Sequence, residues 1–243
     1  MQILLTIAYD GTDYAGWQRQ DNAVAVQEVI ENALFYIYKT PCPLKSASRT
    51  DAGVHARSQK ASFFIQGQNI PLDKLPIVIN SCLPNDIAIK HACIVPDDFN
   101  PRFSIKKTYE YTIYNAKTPD PLVRRYCAYE RRPLDIFLMK EAANYFIGEH
   151  DFTAFKAAGG STKTSIRRIY ECRIESLDNI ISLSITGNGF LYNMVRIIAG
   201  TLLYVGLCKI PPKEIPNIIV SKDRKMAGKT MPPEGLTLVE AFY

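Results

Sequence analysis

The chain has 243 residues, enough for one large domain or two of ordinary size. Hydrophobic residues make up 47% and charged residues 22%, a globular balance that excludes a disordered chain. Six scattered cysteines with no CxxC pair and three histidines speak against a structural zinc site and fit free thiols in a reducing cytosol. The formal charge of +5 is unevenly spread. Residues 1–103 hold 9 Lys and Arg against 10 Asp and Glu, and residues 104–243 hold 20 against 14. Such asymmetry suits a polyanion-binding surface in the second half, although solvated surface lysines and arginines account for it equally well.

In chain order, Gln2 to Asp10 alternates as a strand, and Met1 to Thr6, without a basic n-region or a small-residue cleavage site, reads as its start rather than as a signal peptide. A loop with Gly16-Trp17-Gln18-Arg19-Gln20 follows. Val26, Val29, Ile30, Ala33, Leu34 and Ile37 then fall on one helical face, ended before Pro41. Cys42–Ser48 and Lys60–Ile65 read as strands, Asp73–Leu83 as a helix with Pro76 in its first turn, and Ile87–Val95 as a strand. The second half repeats the order. Lys107–Asn115 is a strand and a basic, proline-punctuated linker leads to a helix over Asp135–Ile147. Strands over Arg167–Leu177 and Ile180–Thr186 turn at Asp178-Asn179. A helix over Phe190–Leu207, a shorter one over Pro212–Val220 and a strand over Leu236–Phe242 close the chain. The pattern predicts two ferredoxin-like β-α-β-β-α-β halves, 1–103 and 104–243, of α+β class. Periodicity leaves open whether the two sheets join edge to edge or pack separately.

The chemistry-bearing stretch is Ser48-Arg49-Thr50-Asp51-Ala52-Gly53-Val54-His55-Ala56. Asp and Gly dominate ordinary turns, so a turn competes here with a reactive carboxylate. The apolar helix from Phe190 carries Arg196, whose burial without a carboxylate partner would be costly. Asp51 is a candidate for that partner, since an arginine keeps a carboxylate ionised and orients it. Snorkelling of Arg196 and a purely structural ion pair are the competing readings. Asp10, Asp13 and Asp51 would make a metal cluster for a phosphoesterase, against which stands the lack of a histidine at ligand spacing. Ala157 to Thr164 is no phosphate loop, because Thr162 stands where a glycine must precede Lys163; it reads as a basic loop near a phosphate backbone or a plain surface loop. Tyr109 and Tyr111 share one face of their strand, for base stacking or for core packing.

Ser48 to His55 resembles the active-site signature of the tRNA pseudouridine synthase A family. The resemblance extends across nearly the whole chain, in order: Tyr9-Asp10-Gly11, Gly16 to Gln20, Val26-Gln27-Glu28, Leu83-Pro84-Asn85-Asp86-Ile87, Pro96-Asp97-Asp98-Phe99, Arg102-Phe103-Ser104, Tyr109-Glu110-Tyr111, Gly148 to Phe152, and Asn193-Met194-Val195-Arg196. It implies isomerisation of uridine to pseudouridine at positions 38 to 40 of the tRNA anticodon stem-loop, by a homodimer with no cofactor or metal; together with the free thiols and the polar context of the apolar helix, the expected setting is the cytoplasm, with no membrane partner. It further implies Asp51 as nucleophile, Tyr109 against the target base, Arg196 as ion-pair partner of Asp51 and Arg49 as the residue that helps flip the base. Phe99, Arg102 and Phe103 fall among the implied RNA-binding positions. With the resemblance, the expected architecture is an extended, mainly antiparallel sheet, helices on one side and a central catalytic cleft.

Overall fold

Strand β1 (Gln2–Tyr9) is buried along nearly its whole length, which suits the centre of a sheet rather than an edge. The structure is a computed structural model that describes residues 1–67, 70–160 and 162–243. It divides into two units, Met1–Ile105 with Thr237–Tyr243, and Lys106–Leu236. In the first unit, helix α1 (Val26–Tyr38) follows β1 and buries Val26, Ile30, Ala33 and Leu34. Strands β2 (Lys45–Ser46) and β3 (His55–Phe64), helix α2 (Leu75–Asn80) and strand β4 (Ile87–Val95) complete the run. β1 lies antiparallel to both β3 and β4, and β2 is antiparallel to β3. The resulting order β4-β1-β3-β2 is that of a ferredoxin-like unit.

Two elements differ from the sequence pattern for identifiable reasons. β2 is two residues long, not the seven expected, since Pro41 and Pro43 offer no N–H for pairing before it. β3 starts at His55 instead of Lys60. Its alternation is hidden by polar residues that are nevertheless buried, Ser58, Gln59 and Ser62. The Gln59 amide accepts from Ser48 N (3.2 Å) and donates to Ser48 O (2.7 Å), replacing a strand partner.

In the second unit β5 (Lys106–Asn115) carries a short parallel partner, β6 (Ala128–Glu130). Helix α3 (Ile136–Asn144) is N-capped by Asp135, whose carboxylate accepts from Leu138 N at 3.0 Å. Strands β7 (Gly148–Asp151), β8 (Ile166–Leu177) and β9 (Ile180–Gly187) form the antiparallel order β5-β9-β8-β7. The β8–β9 turn falls at the predicted dipeptide, Asp178 adopting a left-handed φ of 52°. Helix α4 (Met194–Gly206) is buried on almost every face and begins four residues later than the periodicity suggests, because Asn193 is left-handed (φ 59°). A short 3₁₀ turn leads into α5 (Ile215–Ser221). β6 and β7 are too short to show a period, and the sequence pattern does not reveal them.

The sequence pattern groups the final strand, β10 (Leu236–Phe242), with the second half; instead it pairs in parallel with β3, Thr237 opposite His55 and Leu238 opposite Ala56. The α+β class and the mostly antiparallel pairing are as expected. Among the described residues no helix is long and apolar enough to cross a membrane.

Candidate active site

Asp51 sits in the connection between β2 and β3, and the β1–α1 loop is the template that shapes it. Tyr9 OH bonds Thr50 Oγ1 at 2.7 Å, Trp17 N donates to Thr50 O at 3.0 Å, and Gly53 N donates to Tyr14 O at 3.3 Å. Val54 N closes a turn onto Asp51 O at 3.1 Å, with Gly53 at φ 76°, a conformation glycine takes without cost. Asp51 is thus in a turn, as its composition suggests, but one clamped on both sides with Asp51 half-buried.

The template loop is itself secured from below. His55 is buried, and its Nδ1 accepts the Gly11 N–H at 3.0 Å. Asp10 Oδ1 lies 3.2 Å from the same nitrogen and accepts from Thr12 N (3.0 Å) and Oγ1 (2.6 Å). Asp86 holds the loop from β4's approach, accepting Tyr14 OH at 2.7 Å while its carbonyl accepts Asp10 N. Burial first, and then the Asp86 carboxylate, raise the Tyr14 phenol above its ordinary range. Trp17 is fully buried, its ring 5.9 Å from that of Tyr9. The α1 amides Val26 and Gln27 donate to Gly16 O and Trp17 O, taking the place of a side-chain cap. The stretches Tyr9–Gly11, Gly16–Gln20, Val26–Glu28 and Leu83–Ile87 therefore all converge on the support of one loop. The Asp10 carboxylate is occupied by Thr12, and among the described residues no group of three His, Cys, Asp or Glu side chains is arranged to hold a metal ion.

Arg49 is exposed, its Nη1 3.4 Å from Gln18 Oε1, and it lines one pocket together with Arg102. Phe99 is partly buried against Tyr243 (ring centroids 5.0 Å), which gives it a packing role in the unit, whereas Phe103 is 80% exposed.

In the second unit Tyr109 on β5 meets Phe190 edge-on, with ring centroids 5.2 Å apart. Two residues along, Tyr111 is fully buried and donates to Pro232 O at 2.8 Å; burial keeps its phenol protonated far above the ordinary range. Arg196 lies in the first turn of α4. Its Nε donates to Met231 O and its Nη1 to Asn193 Oδ1, both at 2.7 Å, so its guanidinium plane is fixed. Arg196 O accepts Met231 N, and Gly228 N donates to Thr201 Oγ1, lacing the segment before β10 along the helix. In the 157–164 loop Ala157 N donates to Tyr192 O, and Ser161 lies outside the described residues. Burial pushes the Cys172 thiol up to about 12, marking it as core.

Tyr14 and Gln59, which also support the loop, lie outside every quoted motif, and the motifs that hold Tyr9 and His55 do not reveal what those two residues bond. The sequence signal for Gln59 is a polar residue interrupting an otherwise apolar strand.

A family model described as tRNA pseudouridine synthase matches residues 5–104 and 142–243. A curated tRNA pseudouridine synthase A from Caldicellulosiruptor bescii is 50% identical over 242 residues, covering 99% of each chain. Its counterpart from Thermoanaerobacter sp. is 49% identical with the same coverage, and that from Geotalea uraniireducens is 47% identical over 243 residues, 100% of this chain and 99% of that one. A chain of a solved Cbf5-Nop10-Gar1 complex overlaps at TM-score 0.41 and 11% identity, covering 97% of this chain and 48% of that one, too loosely to carry an argument.

Proposed function

The chain belongs to the tRNA pseudouridine synthase family, and we propose on that premise that it converts uridines 38, 39 and 40 of the tRNA anticodon stem-loop to pseudouridine. Asp51 is the nucleophile. The uracil loses its N1–C1′ bond, turns, and rejoins the ribose through C5. The C5 hydrogen leaves as a proton and N1 gains one, so atoms and electrons balance without a co-reactant. Arg196 pairs with Asp51, keeping the carboxylate ionised, and Tyr109 contacts the extruded base. Arg49 fills the space the base leaves in the stem, offsetting an extrusion cost of a few kcal/mol. Phe99, Arg102 and Phe103 belong to the RNA-binding surface, with Phe99 acting through its packing. The enzyme works in the cytoplasm as a homodimer; Asp51 belongs to the first unit, and Tyr109 and Arg196 belong to the second.

The observation that carries this reading is the clamped Asp51 loop. Three segments of the first unit spend backbone and buried side-chain hydrogen bonds on holding one carboxylate-bearing turn, and such preorganisation is what a covalent catalyst requires. Asp51→Asn is expected to abolish tritium release from tRNA labelled at uridine C5, by on the order of 10³-fold or more, while tRNA binding survives. Chemical mapping of the product tRNA should find pseudouridine at 38 to 40. Appreciable turnover by the variant refutes the nucleophile, and pseudouridine confined to other positions refutes the site of action.

A further inference from the structure

We propose that a basic pocket in the first unit binds a nucleotide of the substrate tRNA other than the one isomerised. The pocket has a volume of about 350 Å³, within the range of sites that hold small organic ligands, about 300–1,000 Å³. Neither Asp51, Tyr109 nor Arg196 lines it. Three cations do, Lys45 on β2, Arg49 in the Asp51 loop and Arg102 beyond β4, and no lining residue is acidic.

The cations are not neutralised there as others in the protein are. Arg19 is paired with Glu28 and Glu31, Lys60 with Glu240, Arg132 with Glu130, Arg168 with Glu149 and Lys222 with Asp151. Among the described residues no carboxylate lies within salt-bridge distance of Lys45, Arg49 or Arg102; Arg49 is met only by the neutral Gln18 amide, and Lys45 stands 5.9 Å over the Phe64 ring. Glu31, which reaches the Leu44 amide beside the pocket, is already engaged by Arg19, Gln27 Nε2 and Leu44 N. Three like charges around one concavity repel one another, and an anion entering it relieves that repulsion.

The remaining lining identifies the anion further. Gln18 and Asn100 present amides, each with donor and acceptor, beside the cations. A phosphate alone needs donors only. A phosphate carrying a base, whose edge has both donors and acceptors, uses the whole set. The ligand chemistry is therefore a nucleoside monophosphate unit, and its source is the RNA strand. This rests on the tRNA-modifying role proposed above, and it adds a second point of grip that begins, at Arg49, two residues before Asp51.

The test uses the full chain. Calorimetry measures binding of each of the four nucleoside 5′-monophosphates and of inorganic phosphate, and filter binding measures tRNA affinity across a salt series. At least one nucleotide should bind more tightly than phosphate, tRNA should displace it, and Lys45→Gln with Arg102→Gln should abolish that binding. The same pair should weaken tRNA binding several-fold and lower the slope of log K against log salt by about 1 for each phosphate no longer neutralised. Asn100→Ala should erode the preference among the four bases with the salt slope unchanged. Phosphate binding as tightly as every nucleotide overturns the nucleotide assignment. A nucleotide that tRNA cannot displace overturns the RNA source, and an unchanged salt slope in the double variant overturns the site. Neither readout requires pseudouridine to form, so loss of the isomerase reading would show separately.

Discussion

Gly16 passes directly over Thr50. With φ at +98°, a Cβ on Gly16 would lie 2.6 Å from Thr50 O and 3.0 Å from the Asp51 carbonyl carbon. Both are backbone atoms, so the loop itself would have to yield. Gly16→Ala should therefore lower the rate of pseudouridine formation by about 10²-fold, the scale of a displacement near 1 Å at a reacting group. Gly67→Ala is the control. Gly67 also has a left-handed φ, +74°, but a Cβ there meets nothing within 4 Å, so it should cost stability alone. Equal rates in the two variants would show that backbone conformation, not the approach to the Asp51 loop, sets the effect of Gly16.

Much of this arrangement is legible in the sequence. The apolar periods of β1, α1, β4 and β10 are strong and their boundaries lie where the pattern ends. What escapes has a common cause. β3 opens with His55 and, four residues on, Gln59, polar residues that are buried because each finds a partner in another segment of the chain. Local period cannot register a hydrogen bond to residue 11 or 48. Arg196 stands out in the sequence as a charge on an apolar helix, but its bonds to Asn193 and Met231 depend on a left-handed residue and on a segment 35 positions on. The pocket cations are likewise scattered over residues 45, 49 and 102, so nothing local in the sequence shows that they line one concavity.

His55 supports the site through the backbone of the neighbouring loop. It supplies the acceptor for a buried N–H, that of Gly11. Removing the acceptor in His55→Ala leaves that donor unsatisfied, at a cost of about 1–3 kcal/mol. Asparagine presents an oxygen near the position of Nδ1, so His55→Asn should recover much of the loss in urea unfolding. If both variants unfold at the same urea concentration, the ring's packing rather than the hydrogen bond is what matters.

Glu130 gives the second unit a pH dependence of calculable sign. Arg132 donates to it from N, Nε and Nη2, and those hydrogen bonds hold its carboxyl below the usual carboxylate range. A depressed folded-state pKa stabilises the protein above the unfolded value, about 4.3, and the benefit is lost as pH falls through the folded value. Glu130→Gln should accordingly lower the urea midpoint at pH 7, and the gap to the wild type should close as pH drops below about 4. A gap that stays constant between about pH 7 and pH 3 would mean that Glu130 acts through packing.

Arg196→Lys separates orientation from charge. Arginine spends Nε on Met231 O and Nη1 on Asn193 Oδ1, and the planarity of the guanidinium then fixes the direction of its remaining donors. Lysine keeps the positive charge but has a single ammonium, which cannot meet both acceptors and still hold one fixed direction. The rate should fall by about 10²-fold, against a stability loss of about 1 kcal/mol for the forfeited hydrogen bonds. Asn193→Ala removes only one of the two anchors, so its rate should lie between those of the wild type and the lysine variant. A lysine variant as fast as the wild type would show that charge alone suffices and that the two anchors serve the helix.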